Sequence, residues 1–542
     1  MKKKKLVTML LILGMFSNLA ACGSGSSPEA PPSATSAAES VFPETVSPEA
    51  AAAYQDTLHI AVTQQAPSLD LHKNSSLIAR QIMDGSVFEK LVTLDKNGEA
   101  VPELCESFSL NDDAKELTFT LRPDVKFHDG SIMTADDVVT SMNRWIEGFS
   151  TAKTMLGDAR FEKVDDTTVK ISSDSSLLLL PEMIAGSAQP AAITTAAACE
   201  SEDENGFLKD YIGTGPYVFT EWVQDQYIKL DRFDDYTSYG DETKPLDGTA
   251  GYKAALTKTL EYDIVPDQST STAGLESGQY DLCFNITSDD LPRLESNPSL
   301  SVTSSQQGQV ALVFNHKQGL GAEQYFRTAV NTALDCDEIL TAAYGAGYEL
   351  GSCYMDAGQD AWLTDVGSES YNIKDPDKAK QILTAGGYSG EKFTILAATL
   401  NHMDQMAVAM KSELEAIGIN VELSIVDWAT LTDYRKDPGK FDLYITSFAT
   451  VPTPSLKLYY GKEYPGWSDD PKLTELFDVM TGAVTKEDAQ AAWVELQKYS
   501  WDYLPIICPG HYLGNYAWKK ELTGVEMVGT GPKFWNAGIP IT

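Results

Sequence analysis

Positive charge is scarce in this 542-residue sequence: 41 Lys and Arg stand against 78 Asp and Glu, a formal net charge of -37. A field of that sign repels phosphate, and no basic stripe interleaved with aromatics relieves it, so nucleic acid is excluded as a partner. The acidic excess is read as solubility outside the cell. HExxH, GxSxG and GxxxxGK[ST] are all missing, which removes the grounds for a zinc protease, a serine hydrolase or a P-loop site. Ser150 and Lys153 do make the SxxK spacing of penicillin-interacting enzymes, but its SDN and KTG partners are absent. No catalytic residue and no cofactor are expected. Beyond Cys22 the cysteines are few and scattered, at Cys105, Cys199, Cys283, Cys336, Cys353 and Cys508. None lies in a CxxC pair, so a zinc or thioredoxin-like motif has no support, and buried free thiols are expected in a core this large. The histidines, His59, His72, His128, His316, His402 and His511, are dispersed, with His402-Met403 the one adjacent soft pair. They are read as surface or satisfied core residues, with no metal site.

What is present begins with four lysines, Lys2 to Lys5, an apolar run from Leu6 to Phe16 and small residues up to Ala21. A positive head, a short apolar stretch and small residues make a secretion signal over residues 1–21. The run falls short of the ~20 apolar residues that span a bilayer, and no later stretch is apolar for long enough. Leu19-Ala20-Ala21-Cys22-Gly23 resembles the lipobox of bacterial lipoproteins, which implies a lipid on Cys22 and attachment to the cell membrane. The rest of 22–52 is almost entirely Gly, Ser, Pro, Ala, Thr and Glu. That composition buries too little to order itself and reads as a tether spanning roughly 30 Å.

From Thr57 the pattern becomes that of a folded α/β protein. A strand at Leu58 to Val62 precedes a helical stretch bearing Ile78, Ile82 and Phe88. Leu117, Phe119 and Leu121 alternate with threonines, and Val125 and Phe127 follow across Pro123-Asp124, which predicts a hairpin closed at Asp129-Gly130. Thr134 and Asp137 make a capping box for a helix that faces inward at Val138, Met142 and Trp145. Asp375, Pro376 and Gly386 bracket a second helix. A third runs from about Asp404 to Ile417, stops at Gly418, and feeds a strand with Ile419, Val421, Leu423 and Ile425 on one face.

Several segments, in order, resemble the family 5 extracellular solute-binding proteins of ABC transporters, which include dipeptide, oligopeptide and nickel-binding proteins. They are VPELCESFSLNDDAKELTFTLRPDVKFHDGSIMTADDVVTSMNR from Val101, GTGPY at Gly213 to Tyr217, LESGQYD at Leu275 to Asp281, Phe314-Asn315, and Ala333-Leu334-Asp335. DPDKAKQILTAGGY from Asp375 and GINVELSIVDWATL from Gly418 complete the series. The resemblance implies an α/β, two-lobed periplasmic-binding-protein-like fold (class II, with an extra subdomain) that closes on a ligand held in a cleft between the lobes. Transferred here, lobe I is 53–85, 210–302 and 509–542, the extra subdomain 86–209, and lobe II 303–508. The implied function is capture of a peptide or peptide-like small solute and delivery to the permease of an ABC importer, by a monomer.

In peptide-binding relatives the segment after the GI strand supplies a tryptophan over the ligand, an arginine seven residues later, then an aromatic and an aspartate that meets the ligand's α-amino group. Trp428 and Arg435 match the first two. A flat aromatic face contacts apolar groups without reading identity, and a guanidinium holds a carboxylate through two bonds. Between Ser447 and Ser455 the pattern departs. Phe448 stands where the relatives carry tryptophan, no acid follows, and Thr450 offers only a neutral hydroxyl. The ligand class therefore extends to a blocked peptide, a modified amino acid, an opine-like or sugar compound, or a nickel-type metal chelate. In the loop after the first strand, Gln65 and Ser68 are expected as polar contacts.

Overall fold

The computed structural model describes residues 53–541. Cys22, the expected secretion signal and the expected tether fall outside them. Five strands carry the architecture: β1 (Thr57–Val62), β2 (Thr259–Ile264), β3 (Leu300–Phe314), β4 (Leu443–Ala449) and β5 (Gly510–Lys519). In β1 the alternation of Leu58, Ile60 and Val62 with Thr57 and His59 sends the apolar set into the core. The strand pairs in parallel with β2 on one side and with Leu282–Cys283 on the other. From there a single 12-stranded sheet continues through β5, β3 and β4 to Lys392–Ala398 and Asn420–Val426.

Strand β3 makes that continuity possible. Its 15 residues pair first with β5, Leu300 to Gln309 against His511 to Lys519, and then with β4, Gly308 to Phe314 against Leu443 to Ala449. The register slips between Gln306 and Gly308. A Cβ on Gly308 would stand 2.4 Å from the Phe448 carbonyl oxygen, so only glycine lets the strands approach this closely.

Three large cores divide the apolar residues. One surrounds β1 and β2 and includes Tyr217, Tyr262, Tyr516 and Phe534. A second lies in the insertion between Leu91 and Ile193, and a third packs around β4. The last two interlock, because Leu179 of the insertion belongs to the β4 core while Val451 and Leu456 belong to the insertion's core. Each such side chain, fully buried, contributes about 1.5–3 kcal/mol.

Five helices bear on the site, three of them with side-chain N-caps. They are α1 (Leu77–Met83), α2 (Ala135–Gly148), α3 (Pro376–Gly386), α4 (Met403–Ala416) and α5 (Trp428–Tyr434). Thr134 and Asp137 cap α2 reciprocally, and Asp375 caps α3. Gly387 and Gly418 take the left-handed conformation after α3 and α4. Phe88 lies beyond the end of α1, not on it. The expected hairpin differs in its partners: Glu116–Leu121 pairs with Cys105–Leu110 and Thr168–Ser172 in a four-stranded sheet. Pro123 has no N–H to extend a ladder, and only a small loop, bridged from Lys126 to Ile132, closes at Asp129-Gly130. Tyr217 of GTGPY is wholly buried, and a Cβ on Gly213 would meet the Val87 carbonyl at 1.8 Å. The six described cysteines are unpaired, five of them buried. No helix among the described residues is long and apolar enough to cross a membrane.

Candidate functional site

A cavity of about 250 Å³ opens where the insertion faces the β4 side of the sheet. On the insertion side the chain leaving α2 supplies Gly148, Phe149, Ser150 and Thr151, joined by Ala188 and Gln189. Across from them stand Phe448 and Ala449 at the end of β4, then Val451, Leu456, Lys457 and Leu458. The walls are mostly apolar, and the volume is near the lower end of the ~300–1,000 Å³ typical of small-molecule sites. Gln189 is fixed from behind, its amide donating to the carbonyls of Leu71 at 2.8 Å and His72 at 2.9 Å.

Lys457 faces the cavity with its stem but not with its charge. Its ammonium is buried 2.9 Å from Asp356 Oδ2, and His511 Nε2 lies 3.1 Å from the other carboxylate oxygen. The backbone N–H of Val451 also donates to Asp356, at 3.3 Å. Burial pushes the Asp356 carboxyl up, and the Lys457 ammonium and His511 beside it more than reverse that, holding it below its ordinary value. An acid thus does stand behind residues 447–457, contributed by a distant segment. It is closed off and already neutralised.

The structure gathers part of the expected contact set. Phe448 lines the cavity, and its ring lies 5.4 Å from that of Tyr459 and 5.8 Å from that of Tyr464. The Arg435 guanidinium sits 5.8 Å from the Tyr464 ring and 6.0 Å from the Trp428 ring, while Nη1 donates to the Tyr464 hydroxyl at 3.4 Å. Trp428 opens α5 because Asp427 caps that helix, which leaves its indole 37% exposed. Trp428, Arg435 and Phe448 therefore form one aromatic and cationic cluster leading to the cavity. Thr450 lies just past β4 with its hydroxyl sealed and unpartnered.

Gln65 and Ser68 are used elsewhere. Both ends of the Gln65 amide bind Asp225, in the turn between Tyr217–Val223 and Tyr227–Arg232. Ser68 is buried and accepts the Asp70 N–H at 3.2 Å, stabilising its own turn. Neither borders the cavity. Side chains in a loop of this length are claimed by neighbours that sequence spacing does not reveal. Lys457, Asp356 and Gln189 were not anticipated. The one available signal was a lysine inside the apolar run Leu456 to Tyr460, since a charge in such a run needs a buried partner.

Outside the cavity, His59, Glu261 and Asp263 meet on adjacent strands, with His59 Nδ1 3.2 Å from Asp263 and 3.8 Å from Glu261. These donor types suit a divalent cation, although Lys229 already holds Glu261 at 3.1 Å. His402 and Met403 do not converge, since Met403 is buried while His402 points outward.

The model of the bacterial extracellular solute-binding proteins, family 5, matches residues 99–469. The chain belongs to that family. It is 28% identical over 470 residues, 83% of this chain and 88% of the other, to the protein of Sinorhizobium fredii named "Probable peptide ABC transporter periplasmic-binding protein y4tO". It is 27% identical over 435 residues, 70% of this chain and 75% of the other, to the oligopeptide-binding protein AppA of Bacillus subtilis. In fold it is similar to the binding protein AgaA of A. tumefaciens R10, solved with agropinic acid, with a TM-score of 0.72, 23% identity, and 90% of this chain and 99% of that one covered. The family 5 architecture is two-lobed, and here β3 and β5 cross from one side to the other.

Proposed function

We propose that this family 5 protein is the substrate-binding component of an ABC importer, which captures a peptide or peptide-like small solute and hands it to the membrane permease. The observation that carries the reading is the cavity between Phe149-Gln189 and Phe448-Lys457, walled from two sides of the molecule. A ligand that touches both walls stabilises the closed form by its differential affinity for it. Strands β3 and β5, the continuous elements between the walls, are the natural hinge. On this reading the chain divides into lobe I (53–85, 210–302, 509–542), extra subdomain (86–209) and lobe II (303–508). Trp428, Arg435 and Phe448 serve as ligand contacts on the lobe II side, while the sealed hydroxyl of Thr450 does not. The protein works as a monomer, without catalysis or cofactor, held to the cell membrane by a lipid on Cys22.

A second reading, an opine-like, sugar or metal-chelate ligand, draws on one observation: the buried acid behind the cavity residue Lys457, Asp356, is taken by that lysine. A free peptide ammonium would have no carboxylate there to meet. Thermal-shift measurements on the full chain with pooled di- to pentapeptides, opine-type acids, sugars and nickel–histidine complexes separate the two. Peptides are expected to raise the Tm by mass action. A rise with sugars or chelates alone would displace the peptide reading.

A further inference from the structure

Adjacent strands of the main sheet bring one histidine and two carboxylates to a single point outside the solute cavity. His59 of β1 and Glu261 of β2 are direct partners across a parallel ladder, and Ala61 is paired with Asp263 one pleat further on. Side chains two residues apart leave the same face of a strand. His59, Glu261 and Asp263 therefore share the face turned away from Leu58, Ile60 and Val62. His59 Nδ1 lies 3.2 Å from Asp263 Oδ2 and 3.8 Å from Glu261 Oε1, and the three donor atoms all fall within 4.8 Å of one another. Ligands held ~2.0–2.2 Å from one zinc ion stand roughly 3.3 Å apart in a tetrahedron. His59 and Asp263 already meet that spacing, and a small shift of the Glu261 side chain completes it.

The charges around this point favour a cation over a closed cluster of ion pairs. Lys229, opposite Glu261 on the neighbouring strand, takes Oε2 at 3.1 Å and leaves Oε1 on the His59 side. Among the described residues no lysine or arginine lies within 4.0 Å of Asp263, whose one ionic partner is His59. The next acid along, Asp281, is already answered by Lys519 at 2.7 Å and by the His59 backbone N–H at 2.8 Å. The side chains of Glu261 and Asp263 are 17% and 21% exposed and that of His59 is 40%, so the carboxylates are shielded while the histidine stays open to an arriving ion. A net charge of -37 over the chain draws cations toward it. We infer that His59, Glu261 and Asp263 bind a first-row divalent ion such as zinc, which clamps β1 to β2 and keeps a further position for water. One imidazole nitrogen and two carboxylates suit zinc, whereas magnesium and calcium favour an all-oxygen shell. In the ion-free chain His59 Nδ1 is placed to share a proton with Asp263. Coordination uses the lone pair of that nitrogen and releases the proton to solvent. None of the three residues lines the solute cavity, so this site is independent of the proposed capture.

The test is calorimetric titration of the full chain, stripped of metal with EDTA and dialysed, with zinc chloride. A single ion is expected to bind each chain with release of protons, and magnesium and calcium are expected to give no heat. His59→Gln and Asp263→Asn should each weaken zinc by about a hundredfold or more, beyond the loss that follows when only a partner behind a metal ligand is removed. The rise in Tm with solute should be the same in both variants as in the unaltered protein. A crystal grown with zinc, measured at the zinc absorption edge, should show an anomalous peak between the three side chains, and this needs no substitution. Absence of zinc binding, or zinc bound equally well by both variants, overturns the inference. So does a peak elsewhere with none between His59, Glu261 and Asp263. Each of these results leaves solute capture standing.

Discussion

Lys457 and Arg80 are both buried cations, and they are treated in opposite ways. Lys457 comes with its own counter-charge, Asp356, which also binds Val451 N–H and lies against His511. Arg80 comes with one carbonyl and an unmet Nε. Breaking a closed pair exposes a charge that nothing else can answer. Removing an unanswered charge relieves a burden instead. The contrast separates a cation fixed by a buried counter-charge from one that the fold leaves with a single carbonyl acceptor.

The largest effect should come from opening the closed pair. Asp356→Ala leaves the Lys457 ammonium buried without an anion and is expected to lose about 3–5 kcal/mol in urea unfolding. Lys457→Met should fall in the same direction, because Asp356 is then stranded. Acid should do the same more gently. The folded carboxyl of Asp356 lies below its ordinary value of 3.8, so its contribution is complete above that pH and is lost as the pH falls through the folded pKa. In Asp356→Asn this part of the stability profile below about pH 4 should be flat.

A smaller effect is expected where Lys486 reaches Glu99 and, at 3.1 Å, the buried Glu182 of the insertion. Burial raises the Glu182 carboxyl, with the Lys486 ammonium opposing. Lys486→Ala should cost about 1–2 kcal/mol and shift the solution scattering of the ligand-free protein toward a more open form. The smallest effect, and the one of opposite sign, belongs to Arg80. Arg80→Met is expected to leave the ligand-free Tm unchanged or raise it by about 1–3 °C. A fall comparable to that of Lys457→Met would mean that Arg80 is structural after all.

The parts of this molecule that sequence reveals are those whose causes are local. Thr134 and Asp137 cap the helix they sit on, Asp375 and Pro376 open the next, and β1 alternates where its residues alternate. The ordered family segments identify the fold because they recur in sequence, and Trp428, Arg435 and Phe448 do gather into one cluster. The expectation fails where a partner comes from afar. Lys457 and Asp356 are 101 residues apart, and they meet because β3, β4 and β5 bring their segments to one end of the sheet. Gln65 and Ser68 have the right chemistry for contacts, but the Tyr217–Arg232 hairpin and the Asp70 turn claim them first. Arg80 could not be singled out from sequence, because its significance lies in what it lacks, and that requires knowing every neighbour.

The most direct test is a crystal structure of the protein carrying the solute with which it purifies. The account predicts a small molecule enclosed between Gln189 and Phe448, touching both walls. A solute bound outside this cavity, or one that touches a single wall of it, would contradict it.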